Sequence, residues 1–184
     1  MVHLDDMLAY NEQFVANKKY MPYETNSPPN KEMVILTCME SRLIELLLKA
    51  LNLKNGDVKM LKNAGAIIRK PYDTIMKSIL VAIYELGAKE VVVIGHYDCG
   101  MSHTIPSKLQ EKMIENGVKQ ETIQTIERSG IHFEEEFSGF ESVEDSVKQS
   151  VSIIRHHPLL PEYIKVHGLV IDPRTGKVDV ITRE

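Results

Sequence analysis

The chain is poor in cysteine, in net positive charge and in long apolar runs, and each shortage removes a class of function. Only two cysteines, Cys38 and Cys99, occur in 184 residues, so no disulfide framework holds the fold together. None is needed at this length, because a chain of this size buries roughly 70% of its unfolded surface. A net charge of −4 with lysines and arginines scattered among acids lacks the basic face of a nucleic-acid binder. No stretch reaches the roughly 18 consecutive apolar residues of a membrane span. The opening "MVHLDDMLAY" carries acids where a secretory signal carries basic residues, which places the protein in the cytoplasm. In that compartment two cysteines far apart in the chain are reduced thiols or metal ligands. No internal repeat and no low-complexity segment is present.

What is there reads as one α/β domain over residues 1–184, with 1–30 as a helical arm and linker. Residues 3–19 place Leu4, Met7, Leu8, Tyr10, Phe14 and Val15 at helical spacing, and "MPYETNSPPN" then breaks regular structure with three prolines. Such an arm suits an embrace of a partner subunit. "MVILTC" is a strand, and the leucines after Ser41 recur as on a helix. "DVKMLKN" is a second strand. Residues 73–87 are a helix with Asp73 as N-cap and Gly87 past its end, and "KEVVVIGH" is a third strand. This alternation predicts right-handed crossovers and a mostly parallel sheet flanked by helices, with a 2-1-3-like strand order. Helices are expected over 107–116 and 120–128. The acidic "FEEEFSGF" receives no chemistry. Ser142 with Asp145 forms a capping box that opens a further helix, and "IKVHGLVIDPRTGKVDVI" forms a C-terminal hairpin.

The two cysteines are spent immediately after two of these strands. Cys38 ends the first, beside Glu40 and Arg42, while His96 and Cys99 follow the third. With strands one and three as neighbours, all three residues converge at the carboxyl edge of the sheet where strand order reverses, the position at which such sheets bind ligands. Two thiolates and an imidazole are a zinc ligand set, and three protein ligands leave a fourth position for water or a carboxylate. A His-x-x-Cys alone carries little weight, since a cysteine in an apolar run is commonly core filler. The second cysteine at an equivalent place in the topology, followed by a carboxylate and an arginine, shifts the balance to metal. Gly65 and Gly100 are candidates for backbone approach to the pocket or for positive φ. Asp98 is a candidate to orient a ligand or Arg42. His103, His132, His156 and His157 have no spacing argument and read as surface or capping residues.

Taken together, Cys38-x-Glu40-x-Arg42, the loop Asn63-Ala64-Gly65 and His96-x-x-Cys99-Gly100 resemble the β-class carbonic anhydrases. The likeness runs over most of the chain, including the N-terminal arm, the helix of "SVEDSVKQSV" and the strand "HGLVID". It implies a zinc enzyme interconverting carbon dioxide and bicarbonate, built as a dimer or a multiple of dimers, with Cys38, His96 and Cys99 on the metal. The family has aspartate where Glu40 stands, and the resemblance implies that this carboxylate either pairs with Arg42 or swings onto the metal. The extra methylene of glutamate leaves three outcomes open: a preserved pair with Arg42, direct ligation as a conditional fourth ligand, or an impaired relative. Hydrolysis of another small linear electrophile such as carbon disulfide, a zinc-closed non-catalytic protein, and a metal-free Cys–His thiol nucleophile are the competing readings.

Overall fold

In the computed structural model, which describes residues 3–184, β1 (Met33–Cys38), β2 (Val58–Asn63), β3 (Glu90–His96), β4 (Lys165–Ile171) and β5 (Val178–Thr182) form one sheet. Their order is β2-β1-β3-β4-β5, with the first four parallel and β5 antiparallel to β4. The expected 2-1-3 core and the C-terminal hairpin are therefore both present.

Among the described residues there are seven α-helices: α1 (Leu4–Ala16), α2 (Leu43–Ala50), α3 (Thr74–Tyr84), α4 (Pro106–Glu115), α5 (Gln120–Arg128), α6 (Phe133–Phe137) and α7 (Val143–Arg155). Successive strand residues point to opposite faces, and both faces of the central strands are covered. Val34, Leu36, Val91, Val93, Val166 and Val170 pack toward α3 and α7, meeting Met76 and Ile79 of α3 and Val151 and Ile154 of α7. Ile35, Val92, Ile94 and Ile171 face the other way, onto Leu43 and Leu47 of α2. Double coverage is why β1 and β3 are written as unbroken apolar runs.

The helix starts follow the predicted caps. The Asp73 carboxylate accepts the Met76 N–H at 2.7 Å, and Ser142 Oγ accepts the Asp145 N–H at 3.1 Å. Only half of the capping box forms, because the Asp145 carboxylate pairs with Lys148 Nζ at 2.9 Å. Gly87, φ +74°, lies in the left-handed region just past α3.

Two expectations change, and one stretch left without an element gains one. The arm helix is shorter than 3–19, ending at Ala16, and none of its residues is buried: Leu4, Met7, Leu8, Tyr10 and Val15 all stand exposed. Residues 1 and 2 of the arm lie outside the described residues. Helix α4 begins at Pro106, ahead of the expected Ser107, since proline suits the first helical turn, whose N–H groups have no partner anyway. The acidic stretch after His132 forms the short helix α6, anchored by buried Phe133. Among the described residues no helix is long and apolar enough to cross a membrane.

Removing the Asp73 cap leaves a first-turn N–H of α3 without its partner. Asp73→Ala is expected to lower stability by about 1 kcal/mol, read as a lower urea midpoint at unchanged slope.

Candidate metal centre

Parallel pairing of β1 with β3 sets Thr37 opposite Ile94, so Cys38 and His96 leave the sheet side by side at its carboxyl edge. Cys99 then precedes a 3₁₀ turn over Gly100–His103. One donor atom from each of Cys38, His96 and Cys99 lies within 4.8 Å of the other two. All three residues are buried.

The spacing of the sulfurs is informative. Cys38 Sγ and Cys99 Sγ stand 3.9 Å apart and both cysteines are free. A disulfide would require about 2.05 Å, whereas two thiolates on one tetrahedral zinc, with bonds of about 2.3 Å, stand roughly 3.8 Å apart. The imidazole is oriented by its neighbour: His96 Nδ1 lies 2.8 Å from the Tyr97 carbonyl. A carbonyl only accepts, so Nδ1 carries the proton and Nε2 presents a lone pair. That Nε2 is buried and has no hydrogen-bond partner. A buried, unpartnered acceptor beside two sulfurs at metal spacing fits a zinc ion by the chemistry of the donors themselves.

The electrostatics follow from crowding two thiols in one place. The hydrogen bond from Cys99 holds Cys38 well below the usual thiol range, against the cost of burial and with help from His96 and the Gly65 N–H. The same hydrogen bond, with burial, pushes Cys99 up, opposed by the Met101 N–H. Burial works against a charged His96, yet the neighbouring Cys38 sulfur and the Tyr97 carbonyl outweigh it and raise the imidazole.

Glu40 is engaged by Arg42 and Ser41. Its Oε2 accepts from Arg42 Nη2 at 3.0 Å, and its Oε1 accepts from the Arg42 N–H at 3.0 Å and from Ser41 Oγ at 3.4 Å. The Arg42 side chain is the main reason its carboxyl is held down to about 2. Among the described residues the group able to hold a metal is Cys38, His96 and Cys99, without Glu40. Arg42 reaches further, donating to Asp98 Oδ2 and to the Asp98 carbonyl, each at 3.4 Å. One guanidinium thus ties the loop after β1 to the loop after β3.

Left-handed backbone occurs in the loops after β2 and β3, as it does at Lys18, Glu32 and Asn52. Gly65 has φ +83° and Ala66 has φ +57°, while Asp98, between His96 and Cys99, has φ +56°. Left-handed non-glycine residues cost free energy and persist where the surroundings fix them. The Gly65 N–H donates to Cys38 Sγ at 3.3 Å, which matches the expected backbone approach. Gly100 does not: its φ is not positive, and a Cβ there would meet open space.

Of the remaining histidines, His103, His132 and His156 are exposed, and His156 Nδ1 lies 2.8 Å from the Ser152 carbonyl at the end of α7. His157 overturns the surface reading. It is buried, its Nδ1 accepts the Leu159 N–H at 3.1 Å, and its ring meets Tyr72 edge-on at 5.1 Å, because the chain folds back onto the core after α7. Two contributors were missed from sequence. The Tyr97 carbonyl is a backbone group that any residue after His96 would supply, and Met101 carries no motif. A cavity of ≈ 290 Å³ reaches His96 and Cys99 from solvent, walled by Tyr97, Phe140, Glu141 and Glu144.

Comparison with known proteins agrees with this geometry. Residues 33–178 match the carbonic anhydrase family. YtiB of Bacillus subtilis (strain 168), itself named only provisionally as a carbonic anhydrase, is 53% identical over 178 residues, covering 97% of this chain and 95% of that protein. A carbon disulfide hydrolase of Acidianus sp. (strain A1-3) is 28% identical over 164 residues, 82% of this chain and 78% of that one. The crystal structure of β-carbonic anhydrase isoform I from Trichomonas vaginalis superposes with a TM-score of 0.91 at 33% identity, covering 100% of this chain and 99% of the other. With its sheet order, its strand-end cysteines and its His-x-x-Cys loop all in this company, the chain belongs to the β-class carbonic anhydrase family.

Proposed function

We propose that the chain is a zinc-dependent lyase that interconverts carbon dioxide and bicarbonate. The observation that carries this reading is the convergence of two free sulfurs at 3.9 Å with the unpartnered Nε2 of His96. Cys38, His96 and Cys99 would hold the ion. Zinc, when bound, supplies a Lewis acid that makes a water acidic enough to attack the substrate carbon near neutral pH.

Two thiolates neutralise the formal charge of the ion, so the protein has more to do in aiming the attacking water. Glu40 is the residue for this. Arg42 keeps its carboxylate ionised, and an ionised carboxylate only accepts hydrogen bonds. It would therefore accept a hydrogen bond from the water on one side, leaving the oxygen lone pair turned toward carbon dioxide. Gly65 spends its N–H on Cys38 and so supports a ligand; Gly100 is exposed and contributes backbone alone. The pairing of Glu40 with Arg42 supports the working arrangement over permanent ligation of Glu40 to zinc. Carbon disulfide is a second substrate to assay, because a relative is named for that activity. The exposed apolar side of α1 supports a homodimer or a multiple of dimers, and reduced thiols suit a cytoplasmic setting.

The purified chain is expected to bind about one zinc, as three protein ligands around a single tetrahedral ion require, and both Cys38→Ser and Cys99→Ser are expected to lose it by elemental analysis. Stopped-flow assays should show carbon dioxide hydration that rises with pH; a zinc-loaded preparation no faster than buffer at alkaline pH overturns the assignment.

Glu40 gives an independent check. Glu40→Asp should retain zinc and keep or exceed the parental rate, whereas Glu40→Ala should retain zinc and lose roughly 100-fold in kcat/KM, the scale at which misplaced reacting groups cost activity. Equal rates for the parent and Glu40→Ala would remove Glu40 from the mechanism.

A further inference from the structure

Met101 lies two residues past Cys99, and its side chain and its carbonyl each meet another part of the site. Its side chain packs against Gly65, where an added Cβ would sit 3.1 Å from Met101 Cγ, and the Gly65 N–H in turn donates to Cys38 Sγ. Its carbonyl is covered by Gly139. A Cβ on Gly139 would lie 2.0 Å from Met101 O and 3.3 Å from Thr104 O, both backbone atoms that cannot rotate aside.

Gly139 has no positive φ, so conformation does not call for glycine there. Close backbone approach does. The segment is fastened from the side, since Arg69 Nη1 donates to Ser138 Oγ at 3.1 Å and Nη2 to the Ser138 carbonyl. Arg69 follows the loop that contains Gly65. The contacts therefore close a ring: Gly65 and Arg69 on one side, Ser138 and Gly139 across the top, Met101 beneath, with the Cys38 sulfur hydrogen-bonded to Gly65 at one end and Cys99 two residues before Met101 at the other.

We propose that Gly139 is a positioning residue for the metal centre: its bare backbone, pinned through Ser138 by Arg69, seats the Met101 carbonyl and so fixes the Gly100–His103 turn that sets where Cys99 Sγ stands relative to Cys38. A residue of the acidic "FEEEFSGF" stretch thereby acts on a ligand it never touches. The inference rests on the zinc reading above and adds to it a determinant outside every matched motif.

The test uses the full chain, loaded with zinc or with cobalt(II), whose visible absorption reports tetrahedral thiolate coordination. Gly139→Ala should keep the far-ultraviolet circular dichroism of the parent, lose about 10- to 100-fold in zinc affinity in competition with a chromophoric chelator, the range seen when support around a ligand is removed, and show a shifted or weakened cobalt band. Arg69→Ala, which frees the segment without adding bulk, should move both readouts in the same direction by a smaller factor, and it decides the matter if Gly139→Ala does not fold. Folded variants with parental zinc affinity and a parental cobalt spectrum overturn the proposal. A parent that takes up neither metal overturns the zinc reading itself, so the two failures are told apart.

Discussion

Two sulfurs held 3.9 Å apart in a buried site are the constraint on which everything else in this molecule turns. Full negative charges at that distance repel by about 4 kcal/mol at an effective dielectric of about 20. The protein opposes this with a ring nitrogen whose lone pair is turned inward and a Gly65 N–H on the Cys38 sulfur. A proton between the sulfurs would relieve the repulsion, and a divalent cation would relieve it further. The parallel sheet serves this end: only neighbouring strands with a common direction release Cys38 and His96 at the same edge.

Around that pair the loops are tied rather than merely adjacent. Arg42 divides its guanidinium between Glu40, after β1, and Asp98, after β3. Both contacts are partly solvent-exposed, so their worth lies less in stability than in orientation. Left-handed residues stand at Ala66, after β2, and at Asp98, after β3. Conformations that L residues avoid are kept where neighbouring contacts over-determine them, as at these two positions beside the candidate centre.

Much of this was readable before any coordinates, and the reasons are physical. Strands buried on both faces cannot alternate, so β1 and β3 announce themselves as apolar runs, and side chains at their ends must meet if the two are adjacent. Asp73 and Ser142 were legible because a cap is a local transaction between a side chain and an N–H three residues on. Helix α6 was not, since five residues with three consecutive glutamates show no period. The burial of His157 depends on where the chain turns after α7, and the need for glycine at 139 depends on a carbonyl 38 positions earlier in the chain. Contacts of that kind are written in no local pattern.

The arm helix carries a last implication. Thirteen residues with no buried side chain contribute nothing to the sheet's core, and an isolated helix of that length is marginal in water. Its order is therefore coupled by mass action to whatever covers Leu4, Met7 and Leu8. On dilution the arm would fray while the sheet stayed intact, so the helicity of Leu4–Ala16 would track protein concentration.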